Sequence, residues 1–131
     1  MSKKAKVGVA GYCMGGPRVV QASALRPDRV GASMASHPGN SLVTAMPDSP
    51  HLLAPKIKAK SFFAIAQNDA MQKPDIADQL KAAYLAAGNA CGAEVYKADH
   101  GWTMPDSAVY NKAEAERAWS QRLLLYKSAL V

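Results

Sequence analysis

Three residue types suited to nucleophilic acyl transfer occur in order along this 131-residue chain: a thiol at Cys13, a carboxylate at Asp69 and an imidazole at His100. Cys13 stands in Gly11-Tyr12-Cys13-Met14-Gly15-Gly16. A nucleophile on a sharp strand-to-helix turn occupies strained backbone. The residues two before and two after it must be small so that the flanking segments can approach each other. Gly11 and Gly15 fill those positions, and Gly16 extends the elbow. A helix beginning behind Cys13 places its N-terminus near the sulfur, which favours the thiolate and predicts a lowered thiol pKa. The Met14 backbone N–H then points to where an oxyanion would form. His100 can take the thiol proton and return it to a leaving group, while Asp69 holds the imidazole in one tautomer.

The elements that would position these groups are legible in the pattern of apolar residues. Lys6 to Gly11 is a short apolar run ending in glycine, as expected of a strand covered on both faces. Gly15-Gly16-Pro17 opens a helix through Leu25, with the proline in its first turn. Val30 to Ser36 and Ser61 to Ala66 are further strands. Between them, from His37 to Lys60, runs a connection rich in proline and long enough to suspect a functional loop. Pro74 opens a helix with Ile76, Leu80, Tyr84 and Ala87 on one face, closed by Gly88. Ala93 to Ala98 is a fourth strand. The last helix is expected from about Ser107 to Leu130, with Ala115, Ala118, Trp119, Leu123 and Tyr126 as its buried stripe. Alternating strands and helices joined by short links imply an α/β fold, a mostly parallel sheet of about four strands flanked by helices. In such sheets ligands sit at the carboxyl ends of the strands. Cys13, Asp69 and His100 each follow one strand, in the order nucleophile, acid, histidine that α/β-hydrolases use.

Composition and charge narrow the function class. A mass of 13.9 kDa with 49% hydrophobic and 20% charged residues describes one globular domain, residues 1–131, with a core of its own. No apolar run reaches the roughly 18 residues of a membrane span, and no signal peptide is evident, so the default location is cytoplasmic. The net charge of +6 is spread along the chain. Only Lys3-Lys4-Lys6 and Lys56-Lys58-Lys60 cluster, without interleaved aromatics, which argues against nucleic acid as a partner. Cys13 and Cys91 are expected to stay reduced. Gly-x-Cys-x-Gly-Gly is not a dinucleotide fingerprint, because Cys13 stands where glycine is needed, and no Gly-Lys-Ser/Thr follows to make a phosphate loop. His37, His51 and His100 show no metal-ligand spacing, so no metal and no cofactor is expected. Asp75 and Asp99 read as solvated loop charges. Tyr12, His37 and Trp102 are candidates to line a substrate pocket; Trp102 serves equally well as an anchor for the last helix.

At these residues the chain resembles the dienelactone hydrolase family. Gly11-Tyr12-Cys13-Met14-Gly15-Gly16 is similar to the family's elbow, Ala66-Gln67-Asn68-Asp69 with Pro74 to its acid loop, and His100-Gly101-Trp102 with Tyr110, Ala115 and Ala118-Trp119 to its histidine loop and final helix. The resemblance implies Cys13 as nucleophile, Asp69 as acid and His100 as base. It also implies hydrolysis of a carboxylic ester or lactone through a thioester acyl-enzyme. The family's chains are about twice this length, and the likeness is to their C-terminal half. The strands, the second oxyanion donor and the substrate contacts that the family places upstream fall outside this sequence. Met104 stands where the founding enzymes carry a carboxylate-binding arginine, and Ser36-His37-Pro38-Gly39-Asn40 differs from the family's Ser-Phe-His-Gly-Gly.

Half of such a sheet would leave its first strand as an open edge and one face without a helix. The expectation is therefore a homodimer, or association with a complementing chain, through the first strand. The alternative function is a non-catalytic hydrolase remnant that serves as an interaction subunit.

Overall fold

A computed structural model describes residues 5–130. Four parallel strands, β1 (Val7–Tyr12), β2 (Val30–Ser36), β3 (Lys60–Ala66) and β4 (Cys91–Tyr96), lie side by side in chain order. Helix α1 (Gly15–Leu25) follows β1, α2 (Gln67–Gln72) and α3 (Ile76–Ala86) follow β3, and α4 (Lys112–Leu130) closes the chain. The α/β fold expected from the sequence is the one observed.

The strand alternation divides the core in two. Ala35, Phe63 and Ile65 turn to one face, where they meet Val20 of α1 and Ile76, Leu80 and Tyr84 of α3. Ala32, Met34, Ala64 and Ala66 turn to the other, which is covered by Ala118 and Leu125 of α4. Small residues on that face let α4 lie close: a Cβ on Gly8 would come within 2.7 Å of the Tyr126 ring. The sheet therefore carries helices on both faces, contrary to the expected uncovered one.

Two elements and one helix face differ from expectation. β4 runs two residues earlier than predicted because the Lys97 N–H leaves the ladder to donate to Glu114 Oε2, 2.9 Å away. α4 begins at Lys112 and not near Ser107, because the Asn111 side chain accepts the Glu114 N–H at 3.1 Å and caps the helix there. Residues 101–110 instead form successive turns. The buried face of α4 is Ala118, Arg122 and Leu125, while Trp119 (54% exposed) and Leu123 (48%) face out. Ala115, Ala118 and Tyr126 of the expected stripe do pack on the sheet, and the stripe differs at Trp119 and Leu123 because periodicity alone treats arginine as a surface residue. Here the Arg122 guanidinium lies over the rings of both Tyr12 and Trp119 and donates to the Tyr12 hydroxyl.

The long connection after β2 is largely structural. Its two 3₁₀ turns, Asn40–Leu42 and Pro50–Lys56, bury Leu42, Val43, Ala54 and Ile57 against the α1 face. Its first residues, beginning with His37, lie at the carboxyl ends of the strands, where the His37 N–H donates to the Ala64 carbonyl. Among the described residues β1 pairs with β2 alone.

Candidate active site

The sulfur sits on a strained turn. Cys13 has φ +51°, a region that non-glycine residues rarely occupy, and its N–H donates to the Ser36 carbonyl at the end of β2. Gly11 is required here: a Cβ would fall 2.6 Å from both the Gly15 oxygen and Val19 Cγ2. Gly16 is required for a different contact, since its Cβ would lie 2.4 Å from Pro38 Cβ, and this closeness draws the start of the loop over α1. Gly15 is not required in the expected way, because a Cβ there meets nothing within 4 Å. Met14 is the N-cap of α1 and its side chain is largely exposed.

The acid and the histidine are joined as the sequence predicts. His100 Nδ1 donates to Asp69 Oδ2 at 2.7 Å, and the His100 side chain is about one-third exposed. Asp69 lies in the first turn of α2, a short helix where the family resemblance implies a loop. The neighbouring Asn68 accepts the His100 backbone N–H at 2.9 Å, so one helical turn holds both the main chain and the ring of the histidine. Gln67 likewise donates to Asp99 at 3.0 Å, giving that carboxylate a partner.

The sulfur itself is bonded elsewhere. Cys13 Sγ lies 3.2 Å from His37 Nδ1, and His37 Nε2 lies 2.7 Å from Thr103 Oγ1. The donor groups of Cys13, His37 and His100 all fall within 4.8 Å of one another. The bonding is self-consistent if the thiol donates to His37 Nδ1 and His37 Nε2–H donates to Thr103. His37 is fully buried, has φ +38°, and its backbone N–H donates to the Ala64 carbonyl at 2.7 Å. Expected as pocket lining, it instead forms a wall behind the sulfur. No linear spacing reveals this role, because the contact joins the end of β2 to the elbow after β1.

Electrostatics separate the two imidazoles. Burial, and then the nearby His100, push the His37 pKa down from 6.5 to about 4, so His37 is a neutral hydrogen-bond acceptor at neutral pH. The Cys13 thiol is raised, first by burial and then by the Asp69 charge. The direction is opposite to the lowering expected from the α1 N-terminus, and its causes are desolvation and the nearby carboxylate. The resting group is a thiol. Both cysteines are free, and burial raises Cys91 to about 12.

The remaining pocket candidates fall on the far side of this wall. Trp102 is 0% exposed, stacks on Tyr96 at 5.1 Å and meets His37 edge-on at 5.1 Å, so it is a core anchor and not a pocket surface. Tyr12 turns toward α4 and, with Ser36, Thr103, Ala118 and Arg122, borders a cavity of about 100 Å³. Arg122, absent from the sequence-derived candidates, is buried there with Nε unpartnered, as is Ser36 Oγ.

Comparison with known proteins agrees with this architecture. The model of the dienelactone hydrolase family matches residues 1–130. Among solved structures, a Klebsiella pneumoniae protein assigned as a dienelactone hydrolase superposes with a TM-score of 0.78 at 23% identity, over 92% of this chain and 51% of its own. A protein designated m3DLH gives 0.79 at 16% identity, over 100% and 55%. An acylaminoacyl peptidase of Pyrococcus horikoshii gives 0.74 at 12% identity, over 98% and 25%. The chain thus spans about half the length of the first two structures and a quarter of the third. No curated protein matches it.

Proposed function

We propose that this chain, which belongs to the dienelactone hydrolase family, carries the reacting groups of a thiol hydrolase acting on carboxylic esters or lactones. The observation that supports this reading most is the elbow thiol at φ +51° standing within 4.8 Å of a ring nitrogen of His100, an imidazole whose Nδ1 is held by a carboxylate.

Two imidazoles compete for the role of base, and the physics favours His100. Placing a proton on His37 means charging a buried ring beside a second imidazole, and the Asp69 charge offsets this only in part. His100 instead has its Nδ1 fixed on Asp69 Oδ2 at 2.7 Å, which leaves Nε2 as the lone-pair nitrogen. His37 therefore holds the resting thiol without taking its proton, and the sulfur must turn from His37 toward His100 to react.

In the proposed cycle the Cys13 thiol gives its proton to His100 Nε2 as sulfur attacks the carbonyl carbon. The carbonyl oxygen becomes an anion beside the Met14 N–H. The intermediate collapses, the carbon–oxygen bond to the leaving alkoxide breaks, and His100 returns the proton to that oxygen. Water then attacks the thioester while His100 takes its proton. Expulsion of the sulfur, reprotonated by His100, releases the acid and restores the thiol. Asp69 and Asn68 are positioning residues in this scheme.

Hydrolysis of a small activated ester such as p-nitrophenyl acetate tests the reading. Turnover is expected in the wild type and is expected to vanish in Cys13→Ala and in His100→Ala. Equal turnover in all three proteins, or none in a folded wild type, would refute it.

A further inference from the structure

The fold assembles three soft and borderline donors that no spacing in the sequence brings together: Cys13 Sγ, His37 and His100, with their ligand atoms within 4.8 Å of one another. A tetrahedral ion with metal–sulfur and metal–nitrogen bonds of about 2.3 and 2.0 Å sets its ligand atoms roughly 3.3–3.6 Å apart. The sulfur and His37 Nδ1 stand 3.2 Å apart, close to that separation already. His100 needs to close by at most about 1.5 Å, and its ring is the more exposed of the two.

The outer nitrogens are arranged as metal-binding imidazoles require. A ligating histidine donates its second N–H to a carboxylate or another oxygen, which fixes the tautomer and aims the lone pair. His100 Nδ1 is on Asp69 at 2.7 Å, leaving Nε2 free. His37 Nε2 is on Thr103 at 2.7 Å, leaving Nδ1 facing the sulfur. His37 is also anchored through its main chain, so one ligand is rigid and one is adaptable. The cysteine is only partly buried, so an ion can reach it from solvent. One thiolate and two imidazoles suit zinc and its analogues, and exclude magnesium or calcium, which prefer oxygen.

We infer that Cys13, His37 and His100 form a binding site for one thiophilic divalent cation of the zinc type. Binding forms the metal–sulfur bond as the thiol proton leaves to solvent, so one proton is released per ion. The site stands whether or not the chain is a hydrolase. If the hydrolytic reading holds, the ion occupies nucleophile and base together and switches the enzyme off.

Titration with Co²⁺ as a spectroscopic probe, with Zn²⁺ displacement as the second arm, tests this directly. Expected are one equivalent bound, a near-ultraviolet sulfur-to-cobalt charge-transfer band, visible bands of tetrahedral intensity, and loss of all of them on adding Zn²⁺. The spectrum should survive Cys91→Ser, vanish in Cys13→Ser and collapse in His37→Asn, asparagine being tolerant of positive φ. Thr103→Val leaves all three ligands in place and should weaken Co²⁺ binding by about 10- to 100-fold. No charge-transfer band in the folded wild type would overturn the proposal. So would a band that persists in Cys13→Ser, or one unchanged in both His37→Asn and Thr103→Val. Ester hydrolysis without a cobalt spectrum would remove the cation site and leave the hydrolase; the converse result would do the opposite.

Discussion

Acidification from pH 7 to 4 should weaken this fold through His37, and the structure sets the size of the effect. The ring is fully buried between Cys13 and Thr103, with no carboxylate in hydrogen-bond contact. Its pKa falls from 6.5 to about 4 in the folded chain. Between those values the unfolded chain takes up a proton that the folded chain refuses, so stability rises with pH across the window. The contribution is complete above pH 6.5 and is lost as pH falls toward 4. The gap corresponds to roughly 3 kcal/mol, at about 1.4 kcal/mol for each pH unit. Urea unfolding followed by tryptophan fluorescence at several pH values measures it, in the wild type and in His37→Asn. The wild type should lose about 3 kcal/mol more than the variant over this window. Lowered carboxylates such as Asp28 and Glu114 give up their contributions at lower pH, and equally in both proteins, so they cancel. A difference below about 1 kcal/mol would refute the assignment of His37 as a buried neutral acceptor, and with it the argument that separates the two imidazoles.

Four further outcomes are expected. Alkylation of Cys13 by iodoacetamide, in a Cys91→Ser background, should keep accelerating past pH 9, because burial and Asp69 hold the thiol up; a plateau below pH 8 would restore the helix terminus as the dominant influence. Gly11→Ala should cost about 1–3 kcal/mol in chemical denaturation, whereas Gly15→Ala should be neutral or stabilising by up to about 1 kcal/mol; equal effects would contradict the packing at the elbow. If the activity is present, Asp69→Asn should lower kcat by up to about 10⁴-fold, with a fold intact by circular dichroism; a loss under tenfold would remove Asp69 from the positioning of His100. A second copy is proposed to pair along the open edge of β1, where Trp119 and Leu123 of α4 leave an exposed apolar flank beside Tyr126, which packs over Gly8. Light scattering should then report a dimer at micromolar concentration that Leu123→Lys weakens, and a monodisperse monomer would sink the pairing.

Local chemistry was enough to find the four strands, the elbow and the strand ends that carry Cys13, Asp69 and His100. A run such as Ser61 to Ala66 has nowhere to go but a covered strand, and a cysteine flanked by Gly11 and Gly16 at a strand end has few conformations open to it. Asp69 and His100 were legible because each follows a strand, and a parallel sheet in chain order brings its strand ends together. The buried side of α4 was not legible, since it depends on Arg122 finding Tyr12, a partner from the other end of the chain. The protonation state of Cys13 was likewise hidden: sequence supplies the helix behind it, but burial and the distance to Asp69 exist only after folding. His37 shows the division most sharply. Its type and number are written in the chain, yet what it does follows from β1 and β2 lying in register, Tyr12 beside Ser36, so that the residue after one strand meets the residue after the other.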